Sequence, residues 1–192
     1  INLAQKIDIF KPTVDAVVKG NPKSLLLVEF AEENMDENYR RLKKLHQLMG
    51  DLGYSWNKGI GNGGVVDVID SNLQSKVSEM RKSGLNIMMS MKNDAKPVSF
   101  IEDCAVELKD LAEYTDGLNK IFDKYNVKGT WYAHASVGCL HVRPVLNMKI
   151  QDDVDKMRNI ANETSSLVKK FKGSYSGAVS YTHLRAHETS ID

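Results

Sequence analysis

Apolar and polar residues along the chain follow patterns that predict strands and helices in turn. The apolar run SLLLVEF (24–30) comes directly after Asn21-Pro22 and predicts a buried strand. In the stretch behind it, acidic residues precede basic ones, as is typical of a helix, and Gly53 is placed to end that helix. The predicted apolar face of this helix has five residues at helical spacing: Tyr39, Leu42, Leu45, Met49 and Leu52.

Two further strands, each followed by a helix, are predicted after a glycine-rich turn. The run VVDVID (65–70) is short and β-branched, and Ser71 with Gln74 predicts a capping box that begins the next helix. The run SFIEDCAV (99–106) predicts another strand. The helix behind it places these residues on one face: Leu108, Leu111, Leu118, Ile121, Phe122 and Tyr125.

The last third of the chain predicts two adjacent strands and a final helix. KGTWYAHAS and CLHVRPVLNM are separated only by Val137-Gly138, which favours a hairpin or a bulged bend. A helix begins near Asp152 and directs these residues inward: Val154, Met157, Ile160, Ala161, Leu167, Val168 and Phe171. The order β-α, then β-α-β-β-α, predicts an α+β fold that is ferredoxin-like, with helices packed on one face of a largely antiparallel sheet.

Composition narrows the classes of partner. The chain has 192 residues, and its 26 basic and 25 acidic side chains give a formal net charge of +1. Such a small net charge provides no strong field toward nucleic acid or an anionic membrane. No run approaches the roughly 18 apolar residues of a membrane span. Nucleic acid and a membrane span are therefore not expected.

The ends of the chain and its cysteines bear on its origin. The first residues, INLAQKIDIF, are neither a signal peptide nor a methionine start, so we expect an internal fragment of a longer protein. Cys104 and Cys139 lie too far apart for a CxxC pair, and so few thiols fit a reducing compartment. A cytoplasmic location is predicted.

Three formal motifs have the wrong context. GIGNGG (59–64) satisfies GxGxxG but leads into a β-branched run instead of opening a helix, so a loop is the better interpretation. The sequon at Asn162 lies inside a predicted helix. His183 and His187 have zinc-ligand spacing, but their segment lacks apolar periodicity and resembles translated adapter sequence. We therefore predict that residues 178–192 are a non-native tail.

His134 and His141 are the strongest candidates for chemistry. They are seven residues apart, and an odd separation directs side chains to opposite faces of a regular strand. They can converge only if the chain bends at Val137-Gly138. Two imidazoles would suit zinc, iron or manganese, with Cys139 or a remote carboxylate as third ligand. From these residues alone, a strand pair with hydrogen-bonded structural histidines is slightly favoured over a metal site.

A family resemblance rests on these residues. The stretch 100–149, from FIEDCAVELKDL through WYAHASVGCLHVRP to VLNMK, resembles the C-terminal, substrate-side domain of FAD-linked oxidases and dehydrogenases of the glycolate oxidase and D-lactate dehydrogenase type. It is most similar to the members fused to an iron–sulfur half, and a looser resemblance extends over 25–177. The family signature H-x-G-D-G-N-L-H stands here as 134–141, with Val137 and Cys139 at the aspartate and asparagine positions.

The resemblance implies the roles of several residues. His134 and His141, with a glutamate from a later S-G-E-H-G motif, would hold a divalent metal that binds a 2-hydroxy acid, and the histidine of that motif would be the general base. This chain reads Ala178-Val179 after Ser176-Gly177, so the third ligand and the base are missing and no catalytic residue is assigned. Arg81 resembles the family's arginine that binds the substrate carboxylate. Arg143 would project on the same side as His141 in a regular strand and is a second candidate for a carboxylate. The alternative for each is a solvated or salt-bridged surface arginine. The adjacent Glu102-Asp103 would orient these groups or cap the following helix.

The resemblance also implies a function for the parent protein. It would oxidise a 2-hydroxy acid of the D-lactate, glycolate or 2-hydroxyglutarate class by hydride transfer to FAD. Residues 1–23 would connect a missing flavin-binding domain to a truncated substrate domain (24–177), and an iron–sulfur cluster would belong to a missing C-terminal part. The fragment alone would be inactive. The electron acceptor and homo-oligomerisation stay open, and the alternative is a noncatalytic binding or oligomerisation module with structural histidines.

Overall fold

The computed structural model describes residues 4–20, 22–55, 63–84 and 93–175. The chain divides into two compact units, Ile1–Ile87 and Met88–Asp192. Most of the GIGNGG motif, the Ser176-Gly177 pair and the tail with His183 and His187 lie outside the described residues.

The first unit consists of helices and extended segments. A 3₁₀ turn (Ala4–Lys6) precedes α1 (Lys11–Val17), α2 (Met35–Asp51) and α3 (Ser71–Lys82). The two longer helices were predicted, and their N-terminal caps explain where they begin. The Asn34 side chain accepts a hydrogen bond from the backbone N–H of Asp36 at α2. A small apolar cluster joins α1 to its neighbours through six residues: Ala4, Val14, Ile7, Phe10, Val18 and Met80.

The cap of α3 corrects the predicted capping box. Asp70, one residue before Ser71, is the N-cap, and its carboxylate accepts from the backbone N–H of Leu73 at 2.8 Å. Gln74 donates instead to the carbonyl of Val68 at 2.8 Å. A carboxylate is a stronger acceptor than a serine hydroxyl and is favoured by the positive end of the helix dipole, which explains the shift.

The two strands predicted for the first unit do not form. Residues 24–30 and 65–70 are irregular, and the apolar run from Leu25 to Val28 is exposed by 38–70%. A strand needs a neighbouring edge that supplies backbone hydrogen bonds. Among the described residues neither run pairs with such an edge, so its apolar content alone does not make a strand.

The second unit contains an antiparallel sheet centred on one long strand. Its described strands are β1 (Lys96–Pro97), β2 (Cys104–Ala105), β3 (Gly129–His134) and β4 (Cys139–Leu146). β3 pairs with one edge of β4, while β1 and β2 pair with the other. Of the strand predicted at 99–106, only the two residues of β2 form. Asp103, directly before β2, has a left-handed backbone that interrupts the extended chain. The hairpin predicted around Val137-Gly138 is confirmed.

Two helices cover one face of this sheet. α4 (Leu111–Lys124) and α5 (Gln151–Lys170) match the predicted helices, and a 3₁₀ turn (Leu108–Asp110) leads into α4. On β4, Leu140 and Val142 join a buried cluster whose other members come from the helices and the β2 segment: Ile101, Cys104, Val106, Tyr114, Leu118, Ile121, Phe122, Ile160 and Val168. The α+β fold is thereby confirmed. Since side chains alternate along β4, His141 and Arg143 lie on its opposite face.

Candidate functional site

The pairing of β3 with β4 determines which side chains lie together. Residues directly opposite each other in antiparallel strands project to the same face. Three such pairs lie on the face away from the helices: Thr130–Arg143, Tyr132–His141 and His134–Cys139. Both histidines and Arg143 therefore share one face of the hairpin. The prediction that a regular strand places His141 and Arg143 on the same side is confirmed.

The chain between the strands bends so that the two histidines converge. A 3₁₀ turn (Ala135–Val137) follows β3, and Gly138 then adopts a left-handed conformation with φ 68°. The centres of the His134 and His141 rings are 5.0 Å apart, with an angle of 84° between ring planes. The bend at Val137-Gly138 that the two histidines need in order to converge is present, and Gly138 is the residue that permits it.

A tyrosine completes the ring cluster. The Tyr132 ring stacks on His141 with centres 5.7 Å apart, and it lies nearly perpendicular to the His134 ring, with centres 5.6 Å apart. Sequence reasoning missed this residue. Its position two residues before His134 in a strand places it on the same face and could have revealed it.

Two adjacent acidic residues contact the same face from the β2 side. The buried carboxylate of Asp103 lies with Oδ1 2.5 Å from Nδ1 of His141. The carboxylate of Glu102 pairs with Nε of Arg143. Neighbouring residues of a regular strand point to opposite faces, but Asp103 has a φ of 71°, which breaks the alternation. Of the two roles that the sequence left open for this pair, orienting basic groups or capping a helix, the contacts with His141 and Arg143 match the first.

One cluster of donor atoms resembles a metal site but is too tightly spaced for one. Donor atoms of Asp103, Cys139 and His141 all lie within 4.8 Å of one another. Ligands around a tetrahedral zinc ion, however, are about 3.3 Å apart, given bonds of about 2.0–2.2 Å. The 2.5 Å separation of Asp103 and His141 is that of a hydrogen bond, so these two atoms are partners of each other and Nε2 of His141 is the atom left for a metal.

The distance between the two histidine rings equals the distance expected for two rings that share a metal ion. A metal bound to an imidazole nitrogen lies about 3 Å from the ring centre, so two rings on a tetrahedral ion have centres about 5 Å apart. The centres of His134 and His141 are 5.0 Å apart. Cys139 is a weaker candidate, because burial and the nearby Asp103 charge raise the pKa of its thiol and a metal binds the thiolate.

Comparison with known proteins places the chain in a family. The family described as FAD linked oxidases, C-terminal domain, matches residues 4–178. The chain belongs to this family. The family resemblance predicted from the sequence is confirmed, and with it the link to FAD, whereas the iron–sulfur branch and the domain bounds stay predictions.

Relatives of this FAD-linked oxidase domain are named D-2-hydroxyglutarate dehydrogenase. The Haemophilus influenzae protein is 28% identical over 180 residues, and the Escherichia coli protein is 27% identical over 177 residues. Each alignment covers 90% of this chain and 17% of the relative. The chain therefore spans about a sixth of the length of these curated relatives. None of the helices in the described ranges is long and apolar enough to cross a membrane.

The structure brings together some of the predicted site residues in this FAD-linked oxidase domain. His134, His141 and Arg143 share one face of the hairpin. Arg81 belongs to the first unit, where it lies near the C-terminal end of α3 with Nη1 3.9 Å from the Glu29 carboxylate. Its role stays a prediction, as does the missing third ligand, which falls outside the described residues.

The buried Cys104 thiol gives the domain a pH dependence that can be tested. Burial raises the pKa of this thiol from 9.0 to about 11. Between those values the unfolded chain loses a proton that the folded chain keeps, so stability falls as pH rises. By about pH 10, ionisation of Cys104 in the unfolded chain should lower the free energy of unfolding by about 1 kcal/mol.

Urea denaturation of the wild type and Cys104→Ala, at about pH 8 and about pH 10, measures this contribution. The wild type should lose more stability than the variant between the two conditions, because the variant lacks the Cys104 thiol while the buried Cys139 thiol is present in both proteins. Equal losses in both proteins would show that the thiol ionises normally in the fold.

Proposed function

We propose that the chain is the substrate-side part of an FAD-dependent dehydrogenase that oxidises a 2-hydroxy acid. The observation that carries the proposal is the convergence of His134 and His141 beside Arg143 on the face of the sheet opposite the helix core. Membership in the FAD-linked oxidase family and the names of the relatives support the same chemistry. As the relatives are about six times longer, the flavin is assigned to a further part of the parent protein, and the chain alone would be inactive.

His134 and His141 are proposed to hold a divalent metal such as zinc, iron or manganese. Neutral imidazoles suit these ions, and Asp103 occupies the second nitrogen of His141 as is usual for metal-bound histidines. A metal held there would supply Lewis acidity toward the substrate hydroxyl oxygen. In the parent protein, the third ligand and the base are expected to be the glutamate and histidine of the later family motif. This chain reads Ala178-Val179 at those positions.

Arg143 is proposed to bind a carboxylate of the substrate. Its guanidinium uses Nε for Glu102, and the side chains of both residues are more than four-fifths buried. The pair fixes the plane of the guanidinium, so its terminal nitrogens could meet a carboxylate without further ordering. Arg81 is also proposed to bind a substrate carboxylate, with the family resemblance as its support.

The other parts of the proposal concern the parent protein. FAD would accept the hydride from the Cα of the substrate. An iron–sulfur half following this domain, supported by the family resemblance, and a cytoplasmic location, supported by the few and widely spaced cysteines, complete the proposal. The side chains described above would bind and orient the substrate, and Tyr132, stacked on His141, would limit movement of that ring.

The experiment that tests this function measures flavin reduction in the FAD-loaded parent protein. D-2-hydroxyglutarate, D-lactate and glycolate are supplied in turn without oxygen. Replacing Arg143 by Gln should raise KM about 10-fold to 100-fold with a smaller change in kcat, since a hydrogen bond to a charged group contributes about 1.5–3 kcal/mol. The rise in KM should be present for each 2-hydroxy acid that the wild type oxidises.

Arg158→Gln is the matched control, because Arg158 lies on α5 with its side chain 71% exposed. It should leave KM unchanged. If none of the hydroxy acids reduces the flavin of the wild type, the proposed activity is wrong. If Arg143→Gln leaves KM unchanged while the wild type is active, Arg143 does not bind the carboxylate.

A further inference from the structure

We propose that Asp103 is a positioning residue that fixes His141 in the tautomer with its proton on Nδ1. Nε2 of His141 then carries the lone pair that a metal needs. The use made of that lone pair rests on the proposed function, but the tautomer itself is a property of this chain and can be measured without metal, flavin or substrate.

The contact between Asp103 and His141 is short and shielded from water. Oδ1 of Asp103 lies 2.5 Å from Nδ1 of His141, and the two side chains are 5% and 18% exposed. A carboxylate can only accept a hydrogen bond, so Nδ1 must be the donor. In the neutral imidazole the single proton is then on Nδ1, and Nε2 is unprotonated.

The backbone holds Asp103 in place for this contact. Its N–H donates to the carbonyl of Leu140 at 3.0 Å, and Leu140 directly precedes His141 in β4. Its φ of 71° is a conformation that costs most residues roughly 1–2 kcal/mol but is more accessible to Asp and Asn. A buried aspartate in this conformation, bonded to both the backbone and the side chain of β4, is consistent with a role in aiming His141.

A second contact fixes the orientation of the same ring. The Tyr132 ring stacks on His141 with an interplanar angle of 26°. Asp103 therefore holds one nitrogen at the edge of the imidazole, while the Tyr132 ring stacks on the same imidazole at an offset, with ring centres 5.7 Å apart. A rotation of the ring that exchanged Nδ1 and Nε2 would break the hydrogen bond and leave a buried carboxylate without this partner.

The first test measures the tautomer in the wild-type chain. Two-bond and three-bond ¹H–¹⁵N correlations of the ¹⁵N-histidine-labelled chain, at about pH 8.5 where an ordinary imidazole is neutral, report which nitrogen carries the proton. The proposal expects a protonated Nδ1 and an unprotonated Nε2 for His141. A protonated Nε2 would overturn it, whichever state Nδ1 has.

The second test replaces Asp103 by Asn, which keeps the size of the side chain and also tolerates the left-handed conformation. The introduced amide could present either its oxygen or its NH₂ to Nδ1, so the Nδ1–H tautomer should lose its dominance. Zinc affinity of the chain should fall about 10-fold to 100-fold, as for other partners of metal-bound histidines. Asp94→Asn is the control, because that exposed carboxylate pairs with Lys149.

The outcomes separate this inference from the proposed function. An unchanged tautomer and unchanged zinc affinity in Asp103→Asn would overturn the positioning role while leaving the metal site intact. A wild-type chain that binds no zinc yet shows the Nδ1–H tautomer would count against the metal site and for the positioning contact. Should Asp103→Asn fail to fold, the wild-type tautomer alone decides the inference.

Discussion

Replacing Gly138 by alanine should unfold the hairpin that carries both histidines. The residue has a φ of 68°, which costs an alanine about 1–2 kcal/mol. An added Cβ would also lie 1.9 Å from the carbonyl oxygen of Val106. That carbonyl cannot withdraw easily, because the N–H of Val106 donates to the Gly138 carbonyl at 3.1 Å and the Val106 side chain is in the core.

The two effects together should cost more than about 3 kcal/mol of unfolding free energy, which few single substitutions reach. Urea denaturation followed by circular dichroism measures the loss. Gly53→Ala isolates the conformational part, since Gly53 has a φ of 88° but nothing within 4 Å of an added Cβ. Gly53→Ala should lower the unfolding free energy of the first unit by only about 1–2 kcal/mol. A Gly138→Ala variant within about 1 kcal/mol of the wild type would contradict the role assigned to this glycine.

Removing either histidine of the pair should have the largest effect on activity. His134 and His141 are proposed to be two ligands of one metal ion, so His134→Ala and His141→Ala should each abolish metal binding at this site. The rate of substrate oxidation should fall on the order of a thousandfold, because Lewis-acid stabilisation supplies several kcal/mol. The FAD content of the parent protein should not change.

The matched control for these variants is His46→Ala. His46 also pairs with an aspartate, Asp67, at 2.8 Å, but it lies on α2 in the first unit and its side chain is 44% exposed. It should retain wild-type activity. A loss of FAD in the His134 or His141 variants would indicate misfolding, and thermal denaturation of each variant distinguishes that result from a loss of chemistry.

Much of the hairpin could be predicted from the sequence because its signals are local. Val137-Gly138 between two strand-like runs predicts a bend, which His134 and His141 need in order to converge, and alternation places Arg143 with His141. The helices α4 and α5 follow from apolar spacing. These inferences need only neighbouring residues, and the structure confirms them.

The contacts that orient the site could not be predicted in the same way. Glu102 and Asp103 reach Arg143 and His141 from a distant part of the sequence, and only the left-handed conformation of Asp103 breaks the alternation that would separate them. Strand pairing is also non-local. The run at 24–30 has the composition of a strand, but composition does not provide a partner edge, and the described residues give it none.

The central claim is that the histidine pair prepares a 2-hydroxy acid for oxidation by FAD. Its most direct test is anaerobic, single-turnover reduction of the flavin by D-2-hydroxyglutarate in the FAD-loaded parent protein, compared among the wild type, His134→Ala and His141→Ala. Rapid flavin bleaching in the wild type, and none on the same timescale in either folded, flavin-bound variant, is the predicted result. Equal rates in all three proteins would contradict the claim and leave the two histidines a structural role.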